Sequence, residues 1–176
     1  MGADPLTAVL RPLGKFLNEN ELFYVFSGEL ALRMLGGTDK VSSLEIIVNL
    51  TENERDRLLN YMEQEGFEWE SRWKGPLAFK HKATGLPVLV RLAGSRAELG
   101  ALGRRVPATL EYTKFFHISA EDYILGGLRS MEVDESVIVS VYRKWRNFLD
   151  VEYLVVTSRE LGVYERFIKT KMKADR

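Results

Sequence analysis

The side chains that most often carry chemistry in enzymes are scarce in this chain. It has no cysteine, which excludes a thiolate nucleophile, a disulfide framework and any zinc site built from thiolates. Histidine occurs only as His81 and His117, and neither has a second candidate ligand at metal-ligand spacing. We therefore interpret both histidines as structural or surface residues.

Basic and aromatic side chains form short groups of the kind that can contact nucleic acid. The basic pair Arg104-Arg105 and the tail segment Lys169–Lys173 (KTKMK) are more typical of solvated surface charge. Trp69 and Trp73 stand an even number of residues apart, which favours packing within a sheet over a platform for base stacking. The sequence accordingly predicts no nucleic-acid partner.

The overall composition is that of one folded domain, or of one domain with a helical appendage. The chain has 176 residues, of which 45% are hydrophobic, and 25 basic side chains balance 25 acidic ones. Residues 1–70 carry a net charge of −7 and residues 71–176 a net charge of +7. One interpretation is that the two halves attract each other, or that their surface charges differ by chance. The other is that the second half presents a basic surface to a phosphate or an acidic partner.

Targeting signals are absent from the sequence as given. No apolar run approaches the roughly 20 residues that span a bilayer. The N-terminal segment has no basic region followed by a long apolar stretch. We therefore expect a cytoplasmic protein without a membrane partner. The single glutamine and the absence of cysteine are typical of a heat-adapted composition.

Hydrophobic periodicity predicts a mixed α/β front, residues 1–112, and an all-helical back, residues 113–176. Thr51 and Glu54 form the spacing of a capping box and predict a helix start. The predicted strands of the front are Leu22–Phe26, Leu44–Leu50, Phe67–Trp73, Leu77–His81 and Pro87–Leu92. The predicted helices are Leu6–Leu17, Leu30–Leu35, the segment from Thr51 to about Gln64, a weak one over Arg96–Leu102, one that begins at Ser119, and a helical region over Val133–Lys171.

Three passages in this order resemble the DNA polymerase β-like nucleotidyltransferase superfamily. They are similar to its minimal branch, which includes abortive-infection and toxin–antitoxin nucleotidyltransferases. The passages are YVFSGELALRMLGG (Tyr24–Gly37), VSSLEIIVNL (Val41–Leu50) and ISAEDYIL (Ile118–Leu125). The resemblance implies an α+β fold, with a mixed sheet covered by helices and followed by a C-terminal helical bundle.

The resemblance also implies where the family's chemistry would lie. The family holds two divalent cations with three carboxylates, two of them at positions i and i+2 of one strand, and a glycine turn faces the triphosphate. In this chain the two strand positions are Ser43 and Glu45, and the third carboxylate position corresponds to Arg91. Gly28 of the turn is kept, but the next residue is Glu29, a carboxylate at the place of the triphosphate. We expect Arg91 to lie where a metal would bind and to pair with Glu45.

Simpler interpretations remain open for these residues. Glu45 and Arg91 are also compatible with an ordinary cross-strand ion pair, and Glu29 with an acid that stabilises a helix start. A lysine that the family often carries after DYI is replaced by Gly127. Ser43, Glu45 and Arg91 together carry no net formal charge, so that the sequence predicts no metal site and weak or absent binding of Mg²⁺ and nucleoside triphosphates.

The resemblance therefore leads to two hypotheses about function. The first is a nucleotidyltransferase-fold protein that has lost catalysis and binds a partner protein, a second copy of itself, or a nucleotide without turnover. The alternative is an active minimal nucleotidyltransferase that uses Mg²⁺ and transfers a nucleotidyl group to a protein, tRNA or small molecule. It would rely on Glu45 with other acids such as Asp39 or Glu29. An unrelated α+β binding module is a third possibility.

Overall fold

The computed structural model describes residues 4–71, 76–130 and 132–176. These residues form eight helices and seven strands. The strands are β1 (Phe23–Ser27), β2 (Leu44–Asn49), β3 (Phe67–Ser71), β4 (Leu77–His81), β5 (Pro87–Leu92), β6 (Val106–Leu110) and β7 (Thr113–His117). The helices are α1 (Pro5–Glu19), α2 (Gly28–Met34), α3 (Glu52–Gln64), α4 (Arg96–Gly103), α5 (Ala120–Arg129), α6 (Glu135–Trp145), α7 (Val151–Glu160) and α8 (Tyr164–Ala174).

All seven strands belong to one mixed sheet with the order β3-β4-β5-β2-β1-β7-β6. β2 lies at its centre, antiparallel to β1 and parallel to β5. Leu44, Ile46 and Val48 on one face of β2 are buried, and so is Ile47 on the other. Burial on both faces explains the nearly continuous apolar run of this strand. The strand that carries Glu45 is therefore central and lies between β5 and β1.

Helices of the front begin and pack as the sequence pattern requires. The Thr51–Glu54 capping box is present at the start of α3, with each side chain bonded to the backbone of the other. α1 contacts the turn between β6 and β7, where the Thr7 hydroxyl donates to the Glu111 carboxylate at 2.7 Å. The α+β class and the mixed sheet are therefore both as predicted.

The hairpin of β6 and β7 was not predicted from the sequence. Its two-residue turn holds Glu111 and Tyr112 at positive φ, 44° and 70°, where hairpins usually carry asparagine or glycine. The sequence pattern shows no such turn signal, and it places the division after residue 112, between the two strands of this hairpin. By contacts, the described residues form one unit within residues 1–31 and 40–118 and a second unit within residues 32–39 and 119–176.

The second unit contains the predicted helical region. Its core includes Ile138, Tyr142 and Phe167, all 3% exposed or less. Within this unit the Trp145 indole donates to the Leu35 carbonyl at 3.0 Å, and Lys144 Nζ donates to the Gly36 carbonyl at 3.2 Å. These bonds satisfy carbonyls beyond the C-terminus of α2. Among the described helices, none is long and apolar enough to cross a membrane.

Most of the large aromatic residues of this unit lie in its core or are partly buried. Tyr142 is 3% exposed and belongs to the core, and Trp145, Tyr153 and Tyr164 are only partly exposed. Phe148, which the periodicity placed on the buried side of a helix, follows the end of α6 and is 80% exposed. The helix ends at Trp145, so that the 3.6-residue pattern no longer applies at Phe148.

Candidate functional site

The candidate site lies where β1 ends and β2 begins. The antiparallel register places Ser27, the last residue of β1, opposite Glu45. Gly28 follows at once with φ of 60°, a left-handed conformation that glycine adopts without strain. The passage from β1 into α2 therefore lies beside Glu45, and Glu29 falls in the first turn of α2.

Glu45 extends across the Gly28 turn. A Cβ atom built on Gly28 would lie 2.6 Å from Glu45 Oε1, which is closer than Cβ atoms approach other heavy atoms in proteins. The φ angle therefore favours glycine at residue 28, and a larger residue there would also displace the Glu45 carboxylate. Glu45 is half-buried, on the face opposite the buried Leu44 and Ile46.

Glu29 does not point away from the site but bonds to the segment that enters β2. Its Oε2 accepts from the Ser42 N–H at 2.5 Å, the Ser42 hydroxyl at 2.8 Å and the Ser43 N–H at 3.2 Å. Partial burial would raise the pKa of the Glu29 carboxyl, but the bonds from Ser42 and Ser43 outweigh it and lower the pKa from its ordinary value of 4.5. Glu29 is therefore a charged acceptor held between two segments of the front.

Ser43 takes part in this contact through its backbone rather than its side chain. It precedes β2, which begins at Leu44, and its N–H is one of the three donors to Glu29. The two positions taken from the family pattern, Ser43 and Glu45, therefore lie next to each other at the start of the strand. Only Glu45 presents a carboxylate there.

Arg91 does not pair with Glu45, in contrast to the prediction. The parallel register of β2 and β5 sets Arg91 beside Ile47 and Leu89 beside Glu45. Two residues along a strand correspond to roughly 6.6 Å, which separates Arg91 from the level of Glu45. Arg91 Nη1 instead lies 3.9 Å from Glu98 Oε1 of α4.

Glu98 is fixed by the backbone at the start of α4. Its Oε2 accepts from the Gly94 N–H at 3.0 Å, and from the N–H and the hydroxyl of Ser95, both at 2.9 Å. Partial burial would raise the pKa of the Glu98 carboxyl, but these bonds and the Arg91 charge lower it below 4.5. Arg91 thus belongs to a capping contact of α4 and not to the site around Glu45.

The residues around Glu45 do not fit the pair of divalent cations that the resemblance implies. Such cations need about three converging carboxylates. Here Ser43 and Leu89 flank Glu45, and Glu29 is engaged with Ser42. Throughout residues 4–71, 76–130 and 132–176, no group of three or more acidic, histidine or cysteine side chains is placed to hold a metal ion.

Several residues of this region were missed at the level of sequence. The Ser95–Glu98 spacing is that of a capping box, but the sequence analysis predicts only a weak helix over Arg96–Leu102 from hydrophobic periodicity. The position of Leu89 beside Glu45 depends on the register between β2 and β5, which a single sequence does not fix. Ser42 carries no signal at all, because its partner Glu29 lies 13 residues away.

The other candidate groups serve packing. The Arg105 guanidinium lies 4.4 Å from the ring centroid of Phe23 and 4.2 Å from that of Phe116. Trp69 packs on Phe79 of β4, with ring centroids 4.4 Å apart. Trp73 lies outside the described residues.

Both histidines bond within their own local segments. His81 Nδ1 lies 2.9 Å from the Thr84 hydroxyl, and His117 Nδ1 lies 2.8 Å from the Ile118 carbonyl oxygen. Burial lowers the pKa of His117 from 6.5, although its bond to Ile118 acts in the opposite direction. In the tail, Lys171 pairs with Asp175 and Lys173 with Glu135.

No protein-family model matches the chain, and no curated protein matches it. Solved structures do share its fold. The antibiotic-resistance protein ANT(2'')-Ia, in a crystal structure with adenylyl-2''-tobramycin, superposes with a TM-score of 0.66 and 14% identity over 93% of this chain and 99% of its own. The lincosamide adenylyltransferase LnuA, with lincomycin bound, gives a TM-score of 0.56 and 14% identity over 80% and 96%.

An antigenic nucleotidyltransferase-like protein from Paracoccidioides brasiliensis gives a TM-score of 0.55 and 13% identity over 92% of both chains. At these identities the likeness establishes architecture rather than activity. Together with the central β2 strand and the Gly28 turn beside it, it shows that this chain has the nucleotidyltransferase fold.

Proposed function

We propose that this chain is a nucleotidyltransferase-fold protein that transfers no nucleotide and acts by binding. Its partner would be another protein, a second copy of itself, or a nucleotide held without turnover. The observation that carries the proposal is the surroundings of Glu45, where the neighbouring positions are the uncharged Ser43 and Leu89. A single carboxylate does not supply the ligands for two cations.

The electrostatics of the site support the same proposal. In an active site of this type, two cations offset the repulsion of three carboxylates and shield the incoming triphosphate. Glu45 has no second carboxylate beside it in β2 or β5. The Glu29 carboxylate, held by Ser42 and Ser43, is a negative charge near the turn that would face the triphosphate. Arg91 does not pair with Glu45 there, because it lies two residues further along β5 and 3.9 Å from Glu98. Both the metal and the triphosphate would therefore bind weakly.

A second candidate is the active enzyme, and the structural neighbours favour it. One of them holds adenylyl-2''-tobramycin, and the other is a lincosamide antibiotic adenylyltransferase with lincomycin bound. This chain covers most of both folds, and it keeps Gly28 and one carboxylate, Glu45. An active form would adenylylate or otherwise nucleotidylate a small molecule, a protein or tRNA, with Mg²⁺ held by Glu45 and further acids.

Calorimetry and a transfer assay decide between the two candidates. Mg²⁺ and Mn²⁺ are titrated alone and with each nucleoside triphosphate, and labelled triphosphates are incubated with the protein and with tobramycin, lincomycin or tRNA as acceptor. We expect neither metal-dependent binding nor transfer. Micromolar metal-dependent binding, or transfer that Glu45→Ala abolishes, would overturn the proposal in favour of the enzyme.

A gain-of-function variant provides the matched positive control. Ser43→Asp with Leu89→Asp places two carboxylates beside Glu45 in the observed register. We expect the double variant to bind Mn²⁺ about tenfold more tightly than the natural chain, or better, because three carboxylates then converge. If the double variant and the natural chain bind Mn²⁺ equally well, the absence of acids at residues 43 and 89 does not explain weak metal binding, and this argument for the proposal fails.

A further inference from the structure

The Ser42–Ser43 segment has the donors of an oxyanion site. Two successive backbone N–H groups and one hydroxyl converge on a single oxygen atom, Glu29 Oε2. The Ser42 hydroxyl also lies 3.0 Å from the second carboxylate oxygen, Oε1. Convergent N–H and O–H donors of this kind bind phosphate and carboxylate oxygens with short, charge-assisted bonds.

The anion that fills this site comes from the chain itself. Glu29 is 13 residues away from Ser42 in sequence, yet its carboxylate takes part in four of these bonds. Gly28 fixes the start of the turn at φ of 60°, and Glu45 lies over that turn. The backbone that precedes Glu29 is thus set by a turn whose φ angle does not involve the Glu29 carboxylate.

We propose that Ser42 and Ser43 form an oxyanion site and that Glu29 occupies it as an internal anion, which excludes phosphate from outside. This inference deepens the proposed function, because it names the group that keeps a phosphate chain away from the Gly28 turn. A tethered carboxylate has a high effective concentration at its own site. Its negative charge also repels a second anion at short range.

The ligand class follows from the donors. Three convergent donors suit one or two oxygens of a tetrahedral oxyanion, and inorganic phosphate is the simplest probe of that class. With Glu29 shortened to alanine, the Ser42 and Ser43 donors turn to solvent and become available to phosphate. With glutamine at the same place, an amide oxygen keeps one acceptor in the site without the charge.

The test follows the backbone amide resonances of Ser42 and Ser43 by NMR during a phosphate titration at constant ionic strength. The natural chain, Glu29→Ala and Glu29→Gln are compared with Glu63→Ala, which removes one negative charge from an exposed position of α3. We expect saturable shifts in Glu29→Ala with an affinity for phosphate about tenfold or more above that of the natural chain and of Glu63→Ala. Glu29→Gln should fall between them.

Two outcomes would overturn the inference. One is a folded Glu29→Ala protein, with dispersed resonances elsewhere, whose Ser42 and Ser43 amides do not respond to phosphate. The other is an equal response in the natural chain, which would mean that Glu29 does not occupy the site. The test uses neither metal nor nucleotide, so that it can fail while the absence of transfer holds, and it can succeed if transfer is found.

Discussion

Glu29 and Glu98 make the same kind of contact at two places in the front of the molecule, but over different distances along the chain. Each carboxylate accepts from two backbone N–H groups and one serine hydroxyl. Glu98 bonds to Ser95 and to the residue before it, within four positions. Glu29 bonds to Ser42 and Ser43, which lie 13 and 14 positions away.

This difference in chain separation gives the two contacts different tasks. The Glu98 contact closes a single helical turn, and it stabilises the start of α4 as capping boxes do. The Glu29 contact joins the turn after β1 to the entry into β2, so that it bears on the tertiary structure around Glu45. Closing the longer loop costs more entropy, and a contact that persists there has to offset that cost.

The largest expected effect is that of Gly28→Ala, which would disturb the Glu29 side of the comparison alone. Alanine at positive φ costs about 1–2 kcal/mol, and its Cβ would also displace the Glu45 carboxylate. We expect a loss of about 2–3 kcal/mol in the free energy of unfolding, measured with urea.

Two control variants separate the causes in Gly28→Ala. Gly66 also has positive φ, 81°, with no atom within 4 Å of an added Cβ, so that Gly66→Ala reports the backbone cost alone. In a Glu45→Ala background, the cost of Gly28→Ala should fall to that of Gly66→Ala. An unchanged cost in that background would show that Glu45 does not press on the turn.

The next effect in size compares Glu29→Ala with Glu98→Ala directly. We expect Glu29→Ala to cost about 2 kcal/mol, because the charge-assisted bonds between two distant segments are lost. Glu98→Ala should cost about 1 kcal/mol, since the Ser95 hydroxyl still caps the N–H of residue 98 at 3.2 Å. Urea unfolding of both, with the exposed Glu63→Ala as reference near zero, checks the order. The reverse order would mean that the local cap is the stronger contact.

The two contacts also show why the sequence reveals some features and hides others. The capping boxes, the central strand and the C-terminal helices depend on spacings of a few residues, which a single sequence displays. The Glu29–Ser42 bonds and the neighbourhood of Leu89 depend on register and on segments far apart, which it does not. The turn at Glu111-Tyr112 was missed because its residues are unusual for positive φ.

Acid should weaken both contacts. Its effect on the free energy of unfolding should be smaller than that of Glu29→Ala. The pKa values of Glu29 and Glu98 lie below 4.5 in the folded protein, so that each carboxylate contributes stability at pH values above 4.5. That contribution is lost as the pH falls from 4.5 through the folded pKa. We expect the urea midpoint of the natural chain to fall in this range, and to fall less in the Glu29→Gln, Glu98→Gln double variant. Parallel pH profiles would contradict the assignment of these bonds to the charged carboxylates.

The smallest expected effect is that of Arg91→Ala, and it tests whether Arg91 pairs with Glu98 or with Glu45. Its guanidinium lies 3.9 Å from Glu98, with the two side chains 52% and 21% exposed, and such pairs contribute about 0.2–1 kcal/mol. A double-mutant cycle of Arg91→Ala with Glu98→Ala should therefore give a small coupling that shrinks with added salt. The same cycle with Glu45→Ala should give none, because Arg91 lies at the level of Ile47. A measurable coupling to Glu45 would instead support the Arg91–Glu45 ion pair that the sequence pattern predicts. In that case the Arg91 guanidinium would lie where a metal ion binds in the family.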